Sequence, residues 1–266
     1  MSIPSLFCAC LAGTVLLACN PYATDAKKRP EEGGAGSEGA AGSAGTGLDA
    51  TSFSFFYTSL AAMRRLSGSD DGFGGDLRFG AGNGLEGADK ICQTIAEGEG
   101  SIATWHAFLS AVRGPDGKTV NAVDRIGKGP WRDRQGRLIA TDVASLIAER
   151  PNGDIDAVSD LPDETGNGTM GLGTSYDVIT GSNKLGLLKY DDPEHTCMDW
   201  TDGSLDNVLV TAGHTWLAGG IGNWIDAHAE LSCRPGVKLD SPGISDGTSI
   251  GAGGGWGGIY CFALTN

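Results

Sequence analysis

Four cysteines, Cys92, Cys197, Cys233 and Cys261, constrain what this chain can become more than any other feature. The other three, Cys8, Cys10 and Cys19, all lie at the extreme N-terminus. That division separates a leading segment from a domain with an even number of thiols. In an exported domain such a count implies two disulfides, which persist in oxidising, extracytoplasmic compartments. Four cysteines permit three connectivities, and spacing alone does not choose among them.

Residues 1–19, MSIPSLFCACLAGTVLLAC, form an apolar run with no acidic residue, although no Lys or Arg precedes it. The run is too short to span a bilayer and reads as a signal peptide. Its end, Leu16-Leu17-Ala18-Cys19, resembles the lipobox of bacterial lipoproteins. The resemblance implies acylation at Cys19 and a place on the bacterial cell envelope, at the outer membrane or cell surface. Buried methylenes contribute about 0.8 kcal/mol each, so several acyl chains would anchor the chain firmly. The alternative is an ordinary signal cleaved nearby, which leaves a secreted protein. Residues 20–50, rich in Gly, Ala, Ser and Glu, have almost nothing apolar to bury and read as a flexible tether. Residues 51–266 then form one domain of a size that supports its own core.

Net charge is −14, which argues against nucleic acid and heparin-like polyanions as partners, because both need a basic face. Solubility is the plainer explanation of the acidity, with collection of divalent cations as the other. The 44 glycines gather in the tether and in stretches 68–87, 164–186 and 213–258. Glycine weakens element interiors and permits unusual turns, so long irregular loops are expected in place of packed helices.

Phe53–Thr58 is aromatic and partly alternating, which predicts a buried strand. Ser59 is placed to cap a helical turn carrying Leu60, Met63 and Leu66. In residues 84–100, Ala88, Ile91, Cys92 and Ile95 follow the spacing of one buried helix face, so Cys92 should point into the core. Trp105, Ala107 and Leu109 alternate with His106, Phe108 and Ser110, which predicts a second strand. Thr141 is the expected N-cap of a short helix through Val143, Leu146 and Ile147. Beyond residue 150 little regular structure is expected until a closing strand at 257–264.

Five blocks in order, GLEGADKICQ, TWHAFLSA, Cys197-Met198-Asp199-Trp200-Thr201, Cys233 and the final IYCFAL, resemble endostatin, the C-terminal domain of certain collagens, and its bacterial secreted relatives. The resemblance covers roughly residues 52–264 and implies a loop-rich α+β, C-type-lectin-like fold with nested pairing, Cys92 with Cys261 and Cys197 with Cys233. It does not bring that family's zinc site, since residues 49–91 contain no histidine. Nor does it bring arginine-based heparin affinity to so acidic a chain.

Asp192-Pro193-Glu194 precedes Cys197, and Asn223-Trp224-Ile225-Asp226 precedes Cys233. These blocks resemble the triplets with which calcium-dependent C-type lectins hold the ion, which wants six to eight hard oxygen ligands. Asp192, Glu194, Asn223 and Asp226 are therefore the candidate calcium set. The spacing to each cysteine departs from those lectins, and Ile225 stands where a ligand asparagine would be. Solvated loop acids are the preferred reading of these residues. The denser run Asp154, Asp156, Asp160, Asp163 and Glu164 also reads as a solvated loop, because Thr174 stands where an EF-hand needs its closing Glu.

Trp216 and Trp224 bracket a glycine-rich loop, where a ring beside Asn223 and Asp226 would stack on a sugar. Both rings covering the core is the plainer alternative. His106, His195, His214 and His228 show no ligand pair at metal spacing, and the bridged cysteines leave no thiolate. Gly251–Gly258 lacks the Lys-Ser/Thr of a phosphate loop.

The expectation is a non-catalytic, lipid-anchored binding module for a carbohydrate or other envelope or extracellular ligand. It would have no cofactor besides possible calcium, no nucleic-acid partner, and membrane contact through the anchor alone. A structural envelope protein without a small ligand, or a hydrolase drawing on loop carboxylates, is the alternative.

Overall fold

The structure is a computed structural model that describes residues 52–220, 222–240 and 246–264. The segments expected to be a signal peptide, with Cys19 as its acylation site, and a tether lie outside the described residues. No helix among the described residues is long and apolar enough to cross a membrane.

The aromatic segment after residue 52 forms β1 (Phe55–Tyr57), and Ser59 caps α1 (Leu60–Ser67) by accepting the Ala62 N–H at 3.1 Å. The amphipathic segment forms α2 (Gly84–Gly98), capped by Asn83, with Ala88, Ile91, Cys92 and Ile95 all buried as their spacing requires. Trp105–Ala107 is β2. The expected alternation stops there: Phe108, Leu109 and Ser110 are all buried. The reason is that this segment bridges two sheets. Phe108 N–H donates to Tyr260 and Ser110 N–H to Thr180.

β3 (Trp131–Arg132) and β4 (Leu138–Ala140) form a two-stranded ribbon. The next helix, α3 (Val143–Leu146), is capped one residue later than Thr141. Asp142 accepts the Ser145 N–H, and Ser145 Oγ accepts the Asp142 N–H, a reciprocal capping box. Asp154 caps α4 (Ile155–Ser159).

Beyond residue 150 the chain is more regular than its composition predicts. β5 (Asp177–Ile179), α5 (Cys197–Trp200), β6 (Asp206–His214), β7 (His228–Ser232) and β8 (Gly255–Gly258) precede the final strand, β9 (Tyr260–Ala263). One sheet has the order β1-β9-β2, with the last strand in its centre. The other has the order β7-β6-β5-β8, and β8 runs directly into β9, joining the two. The chain is thus a mixed helix-and-sheet domain with long loops.

Two disulfides brace it, Cys92–Cys261 from α2 to the central strand and Cys197–Cys233 from α5 to the end of β7. This is the nested pairing. Aromatic rings fill the space between the elements: Phe53, Phe56 and Trp105 pack together, Phe108, Trp131 and Trp224 surround Phe262, and Tyr260 packs on Trp224.

Candidate functional site

Strand register gathers a polar cluster on one face of the four-stranded sheet. Asp177 is paired across the ladder with His214, Ala212 with His228, and Val210 with Glu230. Cross-strand partners share a face, and so do residues two apart on one strand. Asp177, His214, His228 and Glu230 therefore all project to the same side.

Gly251–Gly255 covers that side. Gly253 N–H donates to Glu230 Oε2 at 3.0 Å. A Cβ at Gly253 would collide with Glu230 Oε1, His228 Cε1 and Asp177 Oδ2, so only glycine allows the loop to approach this closely. Gly213, between the ladder residues of β6, similarly admits the Trp224 carbonyl.

Within the cluster, Asp177 Oδ1 lies 3.2 Å from His214 Nε2 and 3.1 Å from His228 Nε2. The second ring nitrogen of His228 faces Glu230 Oε1 at 3.6 Å. The His214 ring stands edge-on to Tyr176, with centroids 4.6 Å apart. Side-chain exposure is 3% for Asp177, 4% for His214 and 0% for Glu230, against 24% for His228, so the cluster is reached through His228.

Burial disfavours a charged imidazole at His228. The hydrogen bond to Asp177 and the charges of Asp177 and Glu230 outweigh it and push the pKa up to about 9. Burial alone would raise Asp177, but hydrogen bonds from His214 and His228 hold it below the usual carboxylate range.

Sequence reasoning missed this cluster, because its members come from three strands and form no motif. One signal was present: in His228-Ala229-Glu230 the two polar residues alternate, the pattern of two side chains on one strand face. Among the described residues, Asp177, His214 and His228 are the group of metal-ligating side chains whose donor atoms lie within 4.8 Å of one another.

The proposed calcium residues are not assembled. Asp192 caps a 3-10 turn by accepting the Glu194 N–H, and both side chains are exposed. Asn223 is buried; its amide oxygen accepts the Ile225 and Asp226 N–H groups, and its NH2 donates to Glu149. Asp226 is paired with Lys189 at 2.8 Å. Asp192, Glu194 and Asp226 do not converge on a common point. Of the loop acids further back, Asp154 and Asp156 are exposed, as a solvated loop requires, whereas the other three are held by the fold. Asp163 and Glu164 are buried, Asp163 Oδ1 accepts the Thr165 and Asn167 N–H groups, and Asp160 accepts those of Thr169 and Met170.

The two tryptophans separate. Trp224 is fully buried, donates its indole N–H to the Leu146 carbonyl at 3.0 Å and packs on Phe108 and Tyr260. Its ring is a core element and is not offered to a ligand. Trp216 is half-buried at the edge of a depression of about 380 Å³, whose lining includes Arg137, Asp156, Ser159 and Asn167.

Compared with known proteins, the chain matches no family model, and a search of curated proteins finds no match.

Proposed function

We propose that this protein is an extracytoplasmic, non-enzymatic recognition module of C-type-lectin-like, endostatin-like fold, held at the bacterial envelope through Cys19, which binds a carbohydrate beneath Trp216. The observation that carries this reading is the half-exposed indole beside a carboxylate, an amide, a hydroxyl and a guanidinium in one depression. An aromatic face stacks on the C–H face of a sugar ring, and the flanking polar groups exchange hydrogen bonds with its hydroxyls. The two disulfides suit an oxidising compartment.

Of the two carboxylates lining the depression, Asp160 has both oxygens engaged, by the Thr169 and Met170 N–H groups. That favours binding over the paired-carboxylate chemistry of glycoside hydrolysis. The net charge of −14 favours a neutral sugar over an anionic one.

A glycan array with the intact protein tests the proposal. Neutral glycans should bind, and Trp216→Ala should weaken binding about tenfold or more, as loss of a central aromatic anchor does. An array without signal, or a Trp216→Ala variant that binds as the parent does, contradicts it.

A further inference from the structure

We propose that Asp177, His214 and His228 form a site for one divalent transition-metal ion, with zinc the best match to the donor set. The inference is independent of the sugar-binding reading, because the two sites share no residue. Two imidazole nitrogens and one carboxylate oxygen are a borderline-soft set that suits zinc, whereas calcium and magnesium select oxygen alone.

Spacing agrees with chemistry. Zinc bonds of about 2.0–2.1 Å at tetrahedral angles place neighbouring donor atoms about 3.3 Å apart. The Asp177 Oδ1 separations from His214 Nε2 and His228 Nε2 are 3.2 and 3.1 Å. All three donor atoms lie within 4.8 Å of one another.

Three further features belong to a built site. Asp177 Oδ2 is buried and makes no hydrogen bond among the described residues. Glu230 faces the second nitrogen of His228 and is itself held by Gly253 N–H, the outer carboxylate support typical of metal-bound histidines. A divalent cation would also offset the two carboxyl groups, Asp177 and Glu230, buried under the glycine loop. Three protein ligands leave the fourth position of a tetrahedral ion to a water or a small ligand.

The test uses the purified full-length chain, stripped with a chelator and then titrated with zinc chloride. One zinc should bind per chain. At a free concentration 100-fold above Kd it should raise the melting temperature by about 5–10 °C. Calcium and magnesium chloride should do neither. His228→Gln should lose both responses, while Asp226→Asn, which lies outside the cluster, keeps them. No bound zinc, undiminished binding in His228→Gln, or loss in Asp226→Asn instead would overturn the site. The X-ray absorption spectrum of the zinc-loaded parent decides the matter even if His228→Gln fails to fold. A shell with the scattering of two imidazoles is expected, and a shell without imidazole rejects the proposal.

Discussion

Trp216 and Trp224 carry the same side chain into opposite environments. The seven residues between them, rich in glycine, give no period from which to tell an inward ring from an outward one. What decides is long-range: the Leu146 carbonyl stands where the Trp224 indole N–H can reach it, so that ring can be buried without losing a hydrogen bond. The same logic explains Glu164, which looks like a loop acid in sequence. Its Oε2 accepts the Ser59 N–H at 2.9 Å and its Oε1 accepts the Ser59 hydroxyl at 2.5 Å, so a residue far along the chain secures the cap of α1. Burial raises its pKa above 4.5, and the bonds from Ser59 do not fully offset that. A carboxyl group whose folded pKa exceeds its unfolded one binds its proton more tightly when folded. Its contribution to stability is therefore greatest below about pH 4.5 and falls as pH rises through the folded value. Glu164→Gln stays neutral and keeps an acceptor for the Ser59 N–H. Urea denaturation across about pH 4–7 should show the variant gaining on the parent as pH rises. Parallel profiles would remove Glu164 from the account.

At the scale of elements, what could be read from sequence was what repeats locally. The helical spacing of Ala88, Ile91, Cys92 and Ile95 is contained in α2 itself, and the aromatic runs of β1 and β9 announce buried strands. The β7-β6-β5-β8 sheet was hidden, because β5 has three residues and its partners lie far away in sequence. The Val208-Leu209-Val210-Thr211 run was the one strong strand signal within it. Thr141 was displaced as a cap because Asp142 has Ser145 at the position that closes the reciprocal box.

One element no sequence pattern suggests is α5. Cys197, Met198, Asp199 and Trp200 have φ of 50, 55, 57 and 65°, a left-handed turn built without glycine. Such backbone costs about 1–2 kcal/mol per residue. The turn is held from several sides: Cys197 is bridged to Cys233, the Trp200 indole donates to Ser110 at 2.8 Å, and Asp199 accepts the Val112 N–H at 2.7 Å. Met198 is exposed and its substitution disturbs none of these ties. Met198→Gly should therefore raise stability by about 0.5–1 kcal/mol, the relief of strain less the entropy cost of glycine. A destabilised variant in chemical denaturation would show that the Met198 side chain contributes more than its backbone costs.

For the whole molecule, covalent bracing substitutes for regular structure. The pairs span 169 and 36 residues of sequence, and closing loops of that size in the unfolded chain corresponds to roughly 5 and 4 kcal/mol in the chain-entropy model. The outer bridge ties α2 to β9, the strand on which β1 and β2 both depend. The inner one fixes the α5 turn to the end of β7, the strand that presents His228 and Glu230. The cluster at Asp177 thus rests in part on a strand whose end the inner bridge holds. Non-reducing peptide mapping of the full-length protein recovered from its native cells tests this account most directly. It should return Cys92 linked to Cys261, Cys197 linked to Cys233, and no free thiol among the four. Any other pairing would contradict the fold, and free thiols would contradict both the fold and the extracytoplasmic assignment that the proposed function requires.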